Sequence, residues 1–229
     1  MTKTAKPARA KGTARKPQSG GKPNEEKVRD AILTAAIGEF FEHGFGGARV
    51  DAIAERSRTN KRYLYVYVGN KEAIWLAALE RVYETMRAGE RELKLENLDP
   101  DEGMRQLIRF NFRFHVEHPE FISMLNDENR QKARNLRRSS SRAQKMYSPL
   151  LTQIEGLLHR GEEAGLFRSG VDPVQLYISI AALSYFYCSN QHTLSVIFGQ
   201  DLGSKREMLR REEHVVAVIM GYLARPSKN

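Results

Sequence analysis

Cationic and phenolic side chains are concentrated within residues 56–67, a pattern suited to binding a polyanion. The cations are Arg56, Arg58, Lys61 and Arg62, and the nearby tyrosines are Tyr63, Tyr65 and Tyr67. A guanidinium such as that of Arg62 can form two parallel hydrogen bonds with a guanine edge, whereas the ammonium of Lys61 suits a phosphate. The same spacing also fits a solvated basic helix or tyrosines packed in a core, so these interpretations stay open.

Two short helical segments joined by three residues carry these side chains. The first covers residues 50–56, the connection is residues 57–59, and Asn60 is the predicted N-cap of a second segment that ends at Val66. Asn70 is the predicted N-cap of the longer helix that follows. This is the helix-turn-helix pattern, in which the second helix can enter the major groove of DNA. Leu64 is expected to anchor that helix with help from Val66 and Val68, while the side chains expected to point outward are Lys61, Arg62, Tyr63 and Tyr67.

The rest of the chain is predicted to be helical as well. Val28, Ile32, Ala36 and Phe40 repeat every four residues, and a later helix is expected to begin at the Asp172-Pro173 cap. No convincing alternation of apolar and polar residues indicates a strand. The sequence therefore predicts an all-α protein.

The first 24 residues differ from the rest in charge. They contain seven cationic and no acidic residues, and so account for seven of the nine net positive charges of the chain. Prolines and the shortage of large apolar side chains predict a disordered basic arm, which either approaches a polyanion or only increases solubility. Cys188 is the single cysteine and no apolar signal-peptide core is present, which predicts a cytoplasmic protein.

Residues 173–200 contain no Asp, Glu, Lys or Arg. If this segment crossed a membrane, polar side chains such as those of Gln175, Asn190 and His192 would lie in the hydrocarbon region without hydrogen-bond partners. No membrane association is therefore expected. This segment has more apolar and small residues than one buried stripe of a helix can accommodate. We therefore expect one face of the helix to pack against its own subunit and another face to pack against a second copy. The interface is assigned to Ala182, Leu183, Phe186, Tyr187, Val215 and Ile219. A monomer with an unusually buried helix is the alternative.

Residues 29–79 resemble the N-terminal domain of the TetR family of transcriptional regulators. The motifs are Ala31-Ile32-Leu33-x-Ala35-Ala36, Phe40-x-x-x-Gly44-Phe45, Ile53-Ala54 and Leu64-Tyr65-x-Tyr67-Val68-x-Asn70-Lys71-Glu72-Ala73-Ile74. The resemblance implies that the recognition helix is Asn60–Val66, that Tyr65 and Tyr67 lie near phosphates, and that Lys71 contacts the DNA backbone. The family usually has Gly-Val at Arg58-Thr59 and a hydroxyl residue at Ala48-Arg49, where Arg49 would pair with phosphate instead.

The C-terminal half is faintly similar to the branch of this family that includes the pyrimidine-utilisation regulator RutR. The similar segments are Asp172-Pro173-x-x-Leu176, Tyr185-Phe186 and Ala224-Arg225-Pro226. These motifs are unspecific, so the pyrimidine ligand is not carried over to this chain.

The resemblance implies a helix-turn-helix DNA-binding domain (25–70), a larger helical effector-binding and dimerisation domain (71–225) and a homodimer, to which the composition adds the basic arm (1–24). The prediction is a ligand-responsive regulator, a repressor, that binds a palindromic double-stranded operator as a homodimer. A small-molecule effector is expected to release it from the operator. No cofactor and no enzymatic activity are expected, because no nucleophile elbow or nucleotide-binding loop is found.

The effector pocket is predicted among polar and aromatic residues of the middle helices: Asn111, His115, His118, Glu128, Asn129, Tyr147, Tyr177 and Tyr185. His115 and His118 are three residues apart and could meet one metal ion, but without a clear third ligand no metal site is predicted. An enzyme that uses His115, His118 or Glu128 is the competing hypothesis. The basic run from Arg130 to Lys145 is interpreted as an exposed, mobile connection, with anion binding as the alternative.

Deleting residues 1–24 distinguishes a specific regulator from a nonspecific polyanion binder. A specific regulator should lose overall affinity for DNA, because the arm contributes a sequence-independent electrostatic attraction, but should keep its preference for one sequence. Competition binding between specific and random duplexes at fixed salt measures both quantities. Collapse of all binding on deletion would support the nonspecific binder instead.

Overall fold

The computed structural model describes residues 25–225, without the side chains of residues 139–148, so the predicted basic arm lies outside the described part. Within residues 25–225 the α-helices are α1 (Glu25–Gly47), α2 (Val50–Arg56), α3 (Lys61–Tyr67), α4 (Lys71–Glu92), α5 (Pro100–Glu117), α6 (Pro119–Arg130), α7 (Ser140–Glu163), α8 (Pro173–Phe198) and α9 (Lys205–Leu223). Short 3-10 turns cover Leu95–Asn97 and Leu136–Ser139. The only β-type pairing in this range is an isolated bridge between Phe167 and Ala224, which confirms the all-α prediction.

Side-chain caps begin several helices at the predicted residues. The Asn60 side chain accepts a hydrogen bond from the Arg62 amide at 2.8 Å, and Asn70 accepts one from the Ala73 amide at 2.9 Å. Asp172 caps α8, with proline at the first helical position. These bonds satisfy backbone amides that have no partner within the first turn of a helix. Because only a few residue types can provide such a bond, caps can be predicted from the sequence.

Two hydrophobic clusters divide the structure, and their boundary does not follow the chain order. One cluster joins α1, α2, α3 and α4 with Phe114 of α5 and with Phe121 and Met124 of α6. The other joins α5, α7, α8 and α9. The three N-terminal helices therefore share their core with α4 and α6, and the division at residue 70 stays a prediction.

The α1 helix bends at Gly44, where the backbone adopts φ 64° and ψ 175°. A side chain at this position would be strained by the positive φ, and its Cβ would lie 2.7 Å from Oδ2 of Asp127. The bend lets the Phe45 amide donate a hydrogen bond to the same carboxylate at 2.6 Å. The end of α1 is thereby attached to α6.

The middle of the chain forms two helices separated by a 3-10 turn. Proline at position 119 ends α5 and also occupies the first turn of α6. The 3-10 turn over Leu136–Ser139 then precedes α7, which begins at Ser140. The middle segment is thus two helices and a turn, with α6 packed against α1 and α4.

Candidate functional site

The α3 helix is anchored at one residue and exposed over most of its remaining surface. Leu64 is fully buried, whereas Val66 is 64% exposed on the opposite face. The prediction that Val66 helps to anchor the helix is therefore wrong, and the residue that packs partly against the core is Val68. Leu64 was correctly assigned because it is the apolar residue nearest the centre of the helix.

Tyrosines flank the exposed face of α3. The rings of Tyr63 and Tyr67 are stacked with their centroids 5.5 Å apart, which fixes both side chains on one flank. Tyr65 lies on the other flank and is about half exposed. None of the three is buried in the core, so the alternative interpretation of these tyrosines as core residues does not apply.

Two of the four cations in residues 56–62 are engaged in ion pairs within the subunit. Arg56 binds Glu42 through both terminal nitrogens and lies 3.2 Å from Glu39. Lys61 Nζ is 2.7 Å from Asp51 Oδ1, and this hydrogen bond lowers the pKa of Asp51. Lys61 is thus exposed, as predicted, and also bridges α3 and α2.

Arg58 and Arg62 are exposed and have no carboxylate partner among the described residues. Arg58 adopts a positive φ of 53° in the turn before α3. This is a conformation that glycine adopts without strain, which explains why the departure from Gly-Val at this turn is costly for an arginine. The Ser57 and Thr59 hydroxyls are hydrogen-bonded to each other at 2.7 Å and hold the turn closed.

The remaining predicted contact residues lie on either side of α3. Arg49 is exposed at the start of α2, where its side chain forms no cap, and its amide instead donates to Glu39 at 3.0 Å. Lys71 begins α4, with Nζ 3.4 Å from the Gly46 carbonyl oxygen and 5.1 Å from the centroid of the Phe45 ring. Asn60 lies at the start of α3, where its side chain caps the helix.

A cavity of about 490 Å³ lies between α4, α5, α6 and α8. Four of the predicted pocket residues line it: His115, Asn129, Tyr177 and Tyr185. The other lining residues are mainly apolar: Met86, Phe121, Leu125, Ile178, Ala181 and Ala182. An apolar enclosure with a few polar groups is typical of small-molecule sites.

The polar groups of this cavity are held in defined positions. Nδ1 of His115 is 2.7 Å from the Asn111 carbonyl oxygen, and burial lowers the pKa of the imidazole, which favours its neutral form. The Tyr177 hydroxyl accepts a hydrogen bond from Arg87 Nη2 at 2.9 Å. Arg87 is itself paired with Glu90 at 2.6 Å, and burial raises the pKa of Glu90 to about 7.

Other residues predicted for the pocket lie elsewhere. Asn111 is completely buried and does not line the cavity, and His118 lines a separate groove between α4 and α5, where it contacts Glu120 at 2.8 Å. The side chain of Tyr147 lies outside the described residues. His115 and His118 do not share a site, and the described residues include no group of three metal-ligating side chains.

Glu128 is a structural residue, because it is 1% exposed and its carboxylate accepts hydrogen bonds from surrounding donors. It accepts hydrogen bonds from Trp75 Nε1 at 2.9 Å, from the Asn135 amide at 2.7 Å and from the Leu136 amide at 3.0 Å. The Asn135 side chain adds a fourth donor at 3.0 Å. The basic run after α6 is therefore attached to Glu128 at Asn135 and Leu136, while the neighbouring Arg134, Arg137 and Arg138 are exposed.

Two residues at this junction were missed in the sequence: Trp75 and Asp127. Trp75 is the only tryptophan of the chain and packs edge-on against Phe40 and Phe45, with centroids 4.8 and 5.3 Å apart. A buried indole N–H requires an acceptor, and this requirement was the available signal for a partner such as Glu128. No local pattern indicates that Asp127 receives the Phe45 amide from α1.

The outer face of α8 and α9 is apolar and exposed, but only some of the predicted interface residues lie on it. Phe186 is 57% exposed, Ala182 is exposed and Leu183 is half-buried. Val215 and Ile219 are buried inside the subunit, and Tyr187 is buried with its hydroxyl donating to the Leu202 carbonyl oxygen at 2.9 Å. These three residues pack within their own subunit, although Ile219 also lines a groove between α8 and α9 on this face, and the interface stays a prediction.

A shallow groove of about 410 Å³ runs between α8 and α9 on this outer face. Its exposed lining residues include Gln175, Ser179 and Ala182 of α8 and Val218 and Tyr222 of α9. Within residues 25–225, no helix combines the length and the apolar character needed to cross a bilayer, and this includes α8.

Comparisons with known proteins agree with this architecture. Residues 32–78 match the family model "Bacterial regulatory proteins, tetR family", and residues 100–219 match "Tetracyclin repressor-like, C-terminal domain". The repressor NicS of Pseudomonas putida is 35% identical over 187 residues, which cover 79% of this chain and 85% of NicS. The regulator RutR of Escherichia coli is 29% identical over 92 residues, or 40% of this chain and 43% of RutR.

The fold is also similar to solved structures. FadR from Bacillus subtilis, in complex with stearoyl-CoA, superposes with a TM-score of 0.62 at 18% identity over 85% of this chain and 98% of FadR. The matching families and curated relatives are transcriptional regulators and not enzymes. The chain belongs to the TetR family of DNA-binding transcriptional regulators.

Proposed function

We propose that this protein is a repressor that binds a palindromic operator as a homodimer and is released when a small molecule occupies the cavity between α4, α5, α6 and α8. The observation that carries the proposal is the anchored recognition helix, in which Leu64 is buried while Arg62 and the tyrosines remain exposed. Curated relatives over most of the chain, NicS and SCO4008, are named repressors, which supports repression over activation.

The DNA contacts divide by chemistry into base recognition and backbone binding. Arg62 and Tyr63 are assigned to base edges, because they lie on the exposed side of α3 and have hydrogen-bonding groups. The residues assigned to phosphates are Arg49, Asn60, Lys61, Tyr65, Tyr67 and Lys71. Lys61 exchanges Asp51 for phosphate at little cost, since an exposed ion pair contributes only about 0–1 kcal/mol.

Substitutions at Arg62 and Lys71 separate these two roles. Arg62→Ala should relax discrimination at one operator position by about 1–3 kcal/mol, and Tyr63→Ala should also reduce discrimination. Lys71→Ala should weaken binding to all duplexes and reduce the salt slope by about 1. Equilibrium binding to operator and scrambled duplexes across a salt series measures both effects, with the remote exposed Arg206→Ala as the control. Unchanged discrimination in Arg62→Ala and Tyr63→Ala would remove both from base recognition.

The outer face of α8 and α9 supports the homodimer. Gln175, Ser179, Ala182 and Phe186 recur at helical spacing along α8, and they lie beside Val218 and Tyr222 of α9 or continue the same row. Pairing this face about a two-fold axis would bury exposed apolar area in a four-helix arrangement. The two recognition helices would then be related by the same axis, which requires two symmetric half-sites in the operator.

Phe186→Glu should convert the dimer to a monomer and weaken operator binding. The substitution introduces a charge into the proposed interface while leaving the subunit core intact, because Phe186 is exposed in the single chain. Sedimentation velocity gives the oligomeric state, and Val116→Glu on the exposed side of α5 is the matched control. A dimer that survives in Phe186→Glu would place the interface on another surface.

The effector site and the DNA-binding region share the α6 helix. Phe121 and Leu125 line the cavity, while Asp127 and Glu128, one turn further along α6, bind α1 and α4. A ligand that shifts α6 would therefore change the position of α1 and α4, provided that it binds the two arrangements with unequal affinity. FadR from Bacillus subtilis, which shares the fold, is known in complex with stearoyl-CoA, and this supports a small-molecule ligand without indicating its identity.

Ala181→Phe tests the cavity, because a phenyl group would occupy the ligand volume. In a reporter strain screened with small metabolites, the wild-type protein should release its operator for some compound, whereas Ala181→Phe should still repress but no longer respond. Thr85→Phe in the separate groove between α4 and α5 is the control and should respond normally. An unaltered dose response in Ala181→Phe would exclude this cavity as the effector site.

A further inference from the structure

Val66 is an apolar side chain that the fold leaves in solvent on the recognition helix. It is 64% exposed, more than any tyrosine of α3, while its neighbour Leu64 is completely buried. The core formed by α1–α4 includes Leu64 and contacts Val68, but does not include Val66. Folding therefore gains little from a branched aliphatic residue at this position, and most of its apolar surface is available to a ligand.

Helical geometry places Val66 beside Arg62 on the outermost ridge of α3. Successive residues are rotated by about 100°, so Arg62 and Val66 both lie within about 20° of the direction opposite Leu64. Tyr63 and Tyr67 are stacked on one flank, and Lys61 is bound to Asp51 on the other. The ridge that reaches furthest into a groove thus carries one guanidinium and one isopropyl group.

The major groove of DNA offers one apolar group to such a side chain, the 5-methyl group of thymine. We propose that Val66 contacts a thymine methyl in each half-site while Arg62 binds a guanine nearby, an assignment that rests on the proposed function. A cytosine at the same position lacks this methyl group and would lose the apolar contact, while the polar group at ring position 4 of either base gains no partner from Val66. Val66 is thereby a specificity-determining residue through its attraction to the methyl group of thymine.

The separation of the two side chains restricts the operator sequence. Four residues of α-helix span about 6 Å, and neighbouring base pairs are about 3.4 Å apart along the duplex. The guanine bound by Arg62 and the thymine bound by Val66 should therefore lie within about two base steps of each other. This constraint applies separately to each half-site.

Substitution of uracil for thymine tests the contact by removing only the methyl group. The operator is first selected from random duplexes with the full-length protein, and each thymine of one half-site is then replaced by uracil. One replacement should lower affinity about fourfold, as expected for the loss of one methyl group from an apolar contact. In Val66→Ala this difference between thymine and uracil should disappear, whereas Val66→Ile should retain it.

The control is Val116→Ala, an exposed valine on α5 that should keep the full uracil effect. A selected operator in which no thymine is sensitive to uracil overturns the assignment of Val66, and so does a uracil effect that persists unchanged in Val66→Ala. Failure of the wild-type protein to select any sequence would instead overturn the proposed function. The two failures are therefore distinguishable in one series of binding measurements.

Discussion

The arrangement of the helices depends on one buried carboxylate, that of Glu128. A buried carboxylate is costly unless its oxygens accept hydrogen bonds, and here four donors from Trp75, Asn135 and Leu136 surround it. Burial alone would raise the pKa of Glu128, but these donors outweigh it and lower the pKa, so the charged form is retained. The interaction fixes the end of α6, the start of α4 and the segment leading to α7 at one point.

This constraint extends to the recognition helix through aromatic packing. Trp75 contacts Phe40 and Phe45 of α1, and all three belong to the cluster that buries Leu64 of α3. Asp127 provides a second attachment by accepting the Phe45 amide where α1 bends. Because α6 also lines the cavity, one rigid helix touches both the proposed ligand site and the region that orients α3. The proposed coupling between ligand and DNA binding rests on this shared helix.

Electrostatics in the DNA-binding region is organised by pairing as much as by net charge. Glu39, Glu42 and Asp51 neutralise Arg56 and Lys61, so the cations without carboxylate partners in residues 56–62, within the described part of the chain, are Arg58 and Arg62. Exposed pairs of this kind are weak and are screened by salt, which leaves Lys61 able to exchange its partner for a phosphate. The proposed recognition surface then consists of Arg62, Val66 and the stacked pair of Tyr63 and Tyr67.

The sequence alone determined the helical class, the helix-turn-helix and the caps at Asn60, Asn70 and Asp172, because periodicity and capping act over a few neighbouring residues. It also indicated that α8 has more apolar surface than one subunit can bury. Only the tertiary structure decided which residues of α8 face outward, because the sequence of a helix that is apolar on all sides does not indicate which side is buried. Tyr187 of α8, for example, is a core residue, whereas its neighbour Phe186 is exposed. Contacts such as that between Trp75 and Glu128 join residues 53 positions apart, and such distances are set by packing rather than by local pattern.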